Sequence, residues 1–309
     1  MAIKDVTATI NGSTVTLTDN GDGTYSANLT APNRTSYNVN SGHYYPVSIT
    51  ATNLAGTSTT VDDTHVTLGQ YLKLRVKEIS APTIRITTPT TGQFLGVAQP
   101  TITIEVIDEK QGSGIDITSL KATLDGTNYT NTSSGVTVTT YTKDETTGYR
   151  ITLVPPTALA DGSHTLIVEV SDNDGNKATS SALQFYTDTI APSLSVTNPS
   201  TNGTYVSDSV LYVKGTTSDS VSGIPTITIK LNNGQEETAT VSNGSFNHAV
   251  TLVNGNNTIV VTATDKAGKI TTITRTIILD TSSPVFASIT ITPNPVNVGG
   301  SYTVTVKVS

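Results

Sequence analysis

The sequence predicts an all-β chain of tandem sandwich domains arranged as an extended rod. Three observations carry this. The chain is rich in Thr, Ser, Val and Ile, which stiffen extended backbone and fit pleated surfaces. It holds 24 Gly and 13 Pro, which with Asn punctuate short runs as turns require. An alternating strand-and-turn pattern recurs three times, and no helical period of useful length interrupts it.

The recurring unit is a strand ending in an Asx-and-Gly turn. It reads Val47 to Gly56, Leu166 to Gly175 and Ile259 to Gly268. The inward residues are Val47, Ile49 and Ala51; Leu166, Val168 and Val170; and Ile259, Val261 and Ala263. A Thr/Ser-rich run follows each turn, so each unit predicts a hairpin. Successive turns lie roughly 120 and 90 residues apart, about one sandwich domain each. Proline marks the boundaries at Ser80-Ala81-Pro82, Asp188 to Pro192 and Asp280 to Pro284, where a residue without an N–H suits a strand's first position.

These marks divide the chain into residues 1–77, 78–187, 188–281 and 282–309. The second and third segments read as complete domains. The first lacks the two strands that should precede Val6, because Val6 to Gly12 aligns with Leu120 to Gly126. The last supplies only two strands, Ala287–Thr292 and Tyr302–Val308. The two deficits are complementary. The C-terminal pair is therefore expected to complete domain one, preferably that of a neighbouring chain, giving a ring or fibre. Two plainer readings stand beside this: a tandem cut inside its next repeat, or a domain one completed by strands near Tyr71–Lys77.

The proline linkers, the Asp-x-x-Gly hairpin turns and the segment GDGTYSANLTAP at 21–32 resemble the bacterial immunoglobulin (Ig)-like repeat superfamily. The resemblance covers essentially the whole chain and implies immunoglobulin-like sandwiches. It implies little about function, since such repeats serve adhesins, accessory modules of enzymes and phage structural proteins. The end segments look most like Ig-like parts of phage tail proteins. The leading expectation is a virion or tail-like-particle component (fibre, decoration or baseplate-associated). The alternative is a stalk segment of a secreted or cell-surface adhesin, for which calcium-bridged linkers are implied.

Composition excludes several classes. Charged residues make up 13% and the net charge is −7, which disfavours nucleic acid. No run reaches the roughly 18 apolar residues of a membrane span, so no membrane insertion is expected. The opening MAIKDVTATI lacks an apolar secretory core, so no usual secretory route is expected. There is no Cys, hence no disulfide or thiolate chemistry. His43, His65, His164 and His248 show no metalloprotease spacing, and no nucleophile or phosphate-loop motif accompanies them. No enzyme is expected, and no cofactor is required. Partners are expected to be other protein subunits (its own kind or virion proteins), or a host-surface protein or glycan. The 12 Tyr could supply contacts without marking a face.

Carboxylates at one pole of each sandwich are the candidate site. Domain three should gather Asp188 from the linker, Asp219 from a loop and Asp265 from the hairpin turn. Domain two should gather Asp108, Glu109 and Asp116 near Asp172 and Asp174. Hard oxygen donors from several loops suit calcium. The plainer role of such residues is to bond their own turn backbone. Domain one has Asn53 at the turn position, so a metal is not expected there.

Overall fold

The computed structural model describes residues 2–309 and divides into two compact units, residues 1–187 and 188–309. Strands dominate throughout. Among the described residues no α-helix occurs, and one 3-10 turn spans Gly69–Tyr71. Among the described residues no helix is long and apolar enough to cross a membrane.

The first unit opens with β1 (Ile3–Ile10), β2 (Ser13–Thr16), β3 (Thr18–Asp19), β4 (Tyr25–Ser26), β5 (Tyr45–Asn53), β6 (Ser58–Val61) and β7 (Lys73–Leu74). The main sheet runs β2-β1-β5-β6, with β7 also on β5. β3 and β4 form a separate small pair around the GDG turn. Val6 and Ala8 are buried, whereas Val47, Ile49 and Ala51 are only half-buried. The inward face of this sheet is thus less completely buried than the cores of the two sandwiches that follow.

The same unit continues with β8 (Thr83–Thr88), β9 (Phe94–Leu95), β10 (Ile102–Ile107), β11 (Ile115–Leu124) and β12 (Thr127–Tyr129). It ends with β13 (Val136–Lys143), β14 (Thr146–Leu153), β15 (Gly162–Asp172), β16 (Lys177–Thr179) and β17 (Leu183–Thr187). One sheet is ordered β13-β14-β10-β8 and the other β12-β11-β15-β17-β9, with β16 on β15. Alternation drives the layering: Ile102, Ile104 and Val106 face Leu166, Val168 and Val170 across one core, all at 0–1% exposure. Each such side chain contributes about 1.5–3 kcal/mol on burial. On the opposite face of β10, Glu105 bonds Arg150 at 2.8 Å and Arg85 at 3.5 Å across β14 and β8.

The second unit contains β18 (Ser193–Asn198), β19 (Thr204–Val206), β20 (Val210–Ser218), β21 (Thr226–Leu231), β22 (Glu236–Ala239), β23 (Val241–Ser242), β24 (Ser245–Thr251), β25 (Gly255–Thr264) and β26 (Ile270–Leu279). Its sheets, β18-β20-β24-β23 and β19-β26-β25-β21-β22, repeat the order of the preceding sandwich. Ile259, Val261 and Ala263 are fully buried between them. The chain closes on β27 (Phe286–Thr292) and β28 (Thr303–Val308), an antiparallel pair with every residue exposed.

The strands near Tyr71–Lys77 thus exist only as the two-residue β7, seated on Tyr45 and Pro46. β17 pairs with the start of β15 in the same way. β7 is therefore the counterpart of β17 in its pairing.

Linker, loop and turn carboxylates

Each repeated turn is built by its first residue. Asn53 Oδ1 accepts the N–H groups of Ala55 and Thr57. Asp172 Oδ1 accepts that of Asn176, and Asp265 Oδ1 that of Lys269, both at 2.8 Å. This is the ordinary turn role of Asx residues. The difference lies in the second oxygen. Asp172 Oδ2 takes the Asn176 side-chain amide at 2.8 Å. Asp265 Oδ2 is buried and has no hydrogen-bond donor.

Asp265 does not stand alone. Carboxylate oxygens of Asp188, Asp219 and Asp265 all lie within 4.8 Å of one another. Asp188 is 0% exposed and its Oδ2 also lacks a donor. Asp219 Oδ1 accepts the N–H groups of Val221 and Ser222 and the Ser222 hydroxyl. Burial first, then its acidic neighbours, pushes the Asp188 carboxyl above the usual range, despite bonds from Ser222 and Ile190. Burial also pushes Asp219 up, but the Ser222 and Val221 donors outweigh it and leave that carboxyl low.

The preceding sandwich has a related cluster of different make-up. Carboxylate oxygens of Glu78, Asp108 and Glu109 lie within 4.8 Å of one another. Glu78 Oε1 accepts the Ser113 N–H at 2.7 Å, and Asp108 Oδ2 accepts the Gly114 N–H at 2.6 Å. Glu78 Oε2 and Asp108 Oδ1 are buried without donors. Burial and the adjacent Glu109 raise the Glu78 carboxyl to about 7. Gly112 makes room for the cluster: a Cβ there would lie 2.7 Å from Glu78 Oε2 and would also strike Asp108 Oδ2.

Domain three thus brings together the three residues predicted, and domain two does not. Asp116 is turned away, holding the Thr118 N–H and hydroxyl within its own turn. Asp172 closes its turn with both oxygens. Asp174 Oδ2 instead accepts the Thr35 hydroxyl of domain one and the Glu78 N–H, while its carbonyl accepts Lys77 Nζ. It is a fastener between the first two domains, helped by Asn38 Nδ2 donating to Gly112 O at 2.8 Å. Glu78 was missed by the sequence reading. Its signal is its offset: Glu78 stands four residues before Pro82, as Asp188 does before Pro192.

Each cluster gathers carboxylates from a linker and loops that could hold a metal ion, with two buried oxygens lacking donors. Calcium takes about six to eight oxygens, and three carboxylates with nearby backbone and water could supply them.

One constellation looks catalytic and is structural. His164 Nδ1 lies 2.7 Å from Asp125 Oδ2, and Nε2 lies 2.8 Å from Thr187 Oγ1. Thr187 is 0% exposed and its hydroxyl donates to Ala160 O at 2.7 Å. His164 and Thr187 are both buried, and their polar atoms are engaged within the sandwich.

Two stacked sheets with this strand order, repeated along one chain, define a tandem array of immunoglobulin-like β-sandwiches. Residues 80–189 match the family model of a bacterial Ig-like domain, and residues 192–281 match that of glucodextranase domain B. Comparison with curated proteins gives no match. Similar solved structures include fibronectin(III)-like modules of Clostridium thermocellum CbhA, at 18% identity and TM-score 0.39, covering 64% of this chain and 94% of that one. A tetra-tandem repeat from the extending region of a large adhesion protein shares 17% identity at TM-score 0.34, covering 98% and 79%. A structure from a 1.5-MDa bacterial ice-binding adhesin shares 22% at TM-score 0.31, covering 89% and 86%. Likeness at these levels speaks to neither ligand nor activity.

Proposed function

We propose that the chain is a non-catalytic structural or adhesive spacer displayed outside the cell, whose domain entries are fixed by calcium. The observation that carries this is the pair of buried, donorless oxygens on Asp188 and Asp265. Buried anionic oxygens without donors are costly unless something cationic meets them. A cation there would tie the linker acid Asp188 to the loop of Asp219 and the turn of Asp265. The incoming chain would then be held against the domain it enters. Glu78, Asp108 and Glu109 would do the same for domain two.

The test is thermal melting of the full chain in EDTA against calcium. Calcium should raise the melting temperature by several degrees, with magnesium less effective because it demands tighter octahedral geometry. An unchanged melt removes the proposal. The setting is a further part of the reading. A cell-surface stalk is the setting in which calcium-fixed entries are most useful. The virion setting rests on the look of the end segments, and labelling of tail-like particles by an antibody to 188–281 would establish it instead.

A further inference from the structure

The two carboxylate clusters differ in access. In domain three, Asp188 and Asp265 are buried and Asp219 is half-buried. A depression of about 200 Å³ there is lined by Asp219 but by neither Asp188 nor Asp265. In domain two, Asp108 is 4% exposed, Glu78 is half-buried and Glu109 is exposed. Asp108 and Glu109 line an open pocket of about 390 Å³, a volume within the range of small-ligand sites.

Local sequence opens this pocket. The loop Asp108 to Ile115 is two residues longer than its counterpart Asp219 to Ile224. It forms one wall, and the turn between β13 and β14 forms another. Asp144 and Glu145 make that turn with φ of 49° and 64°. The matching turn of domain three uses Asn243 and Gly244, the pair that such a left-handed turn prefers. Glu145 thus sits where glycine fits best, and its carboxylate meets Lys110 Nζ from the first wall. Asn38 of domain one completes the lining and donates to Gly112 O.

We propose that the domain-two cluster, loaded with its cation, binds an external glycan whose adjacent hydroxyls enter the pocket and complete the metal's coordination. The inference rests on the cation reading above and extends it: the domain-three site is closed and structural, the domain-two site is open. Asp108 Oδ1 and Glu78 Oε2 are the buried oxygens without donors, and Glu109 is the only cluster member in solvent. Calcium takes about six to eight oxygens, and water fills the positions that a protein leaves open. Two adjacent sugar hydroxyls replace two such waters with equally hard oxygens. Charge selects a neutral ligand. Three carboxylates and a dication leave one negative charge, and the Lys110–Glu145 pair cancels itself. A carboxylate or phosphate ligand would be repelled by that surplus, whereas a diol would not. Thr146, Thr147 and the half-buried ring of Tyr149 supply hydroxyls and an aromatic wall for the sugar.

The test uses the isotope-labelled full chain and three probes: methyl α-mannoside, methyl β-galactoside and methyl α-fucoside, which present adjacent hydroxyls in different arrangements. In calcium, at least one probe should shift the Gly112 and Ser113 amide signals in NMR spectra, and EDTA should abolish the shifts. Asp108→Asn should weaken the response by about tenfold or more, and Asp188→Asn should leave it unchanged. Silence from all three probes in calcium, shifts that persist in EDTA, or shifts confined to other residues would overturn the proposal. A stronger response to acetate than to any glycoside would also overturn it, and would point to a peptide carboxylate instead. Calorimetric titration of calcium alone into the same stripped protein separates the two readings. Calcium binding without a glycoside response sinks the glycan site and spares the cation reading; no calcium binding sinks both.

Discussion

Asp188 and Asp265 hold carboxylate oxygens within 4.8 Å of each other, and each keeps a buried oxygen that no donor reaches. One residue enters from the linker and the other from a hairpin turn 77 positions later along the chain. Without a cation, the fold brings like charges together at a cost. With the proposed cation, the same arrangement would become a clasp.

Replacing Asp188 separates these states. Asp188→Asn removes one of three repelling carboxylates. In EDTA the variant should melt a few degrees higher than the unaltered chain, about 2–8 °C for one sandwich. In calcium the order should reverse or the gap vanish. Differential scanning calorimetry in both buffers reads the result.

Asp116→Asn is the corresponding control. Its carboxylate serves only Thr118 in its own turn. Stability should change by about 1 kcal/mol or less, and the calcium-induced melting shift should be unchanged. Asp174→Ala should behave differently again. Loss of the bonds to Thr35 and Glu78 should loosen the first two domains from each other, with the Lys77 and Asn38 bonds remaining. Limited proteolysis should then cut near residues 76–80 faster, without loss of the calcium shift in domain three.

Most of the fold could be read from period-two alternation. β27 and β28 fall within one residue of the strands expected, and β5, β15 and β25 run into the three repeated turns. Site prediction was harder because an Asx turn residue looks alike whether its second oxygen is free or bonded. Asp172 and Asp265 occupy equivalent turns. Only Asn176, three residues beyond Asn173 in one turn and replaced by Lys269 in the other, decides which keeps a bare oxygen. Such a contact depends on side-chain conformation, which spacing does not convey. Asp174 was read as a ligand because its use as an acceptor depends on Thr35, 139 residues away.

Gly112→Ala tests the crowding in domain two. The added methyl meets Glu78 Oε2 and Asp108 Oδ2, and Asp108 is nearly fully buried and held by Gly114 N–H. The substitution should cost about 1–3 kcal/mol in urea unfolding and weaken cation stabilisation of that domain.

Glu105 governs acid stability in the same sandwich. Arg150 foremost, with Arg85 assisting, holds its carboxyl below the usual range despite burial. A depressed carboxyl stabilises the fold above its unfolded pKa, and this contribution disappears as pH falls through the folded value. Glu105→Gln should therefore cost about 1–3 kcal/mol at neutral pH. The difference from the unaltered chain should close as pH drops below the ordinary carboxylate range, followed by urea melts across pH.

Calcium titration of the EDTA-stripped full chain by isothermal calorimetry tests the cation account most directly. Two binding events are predicted, one lost in Asp188→Asn and the other in Asp108→Asn. Absence of binding at millimolar calcium, or binding that survives both substitutions together, would contradict it.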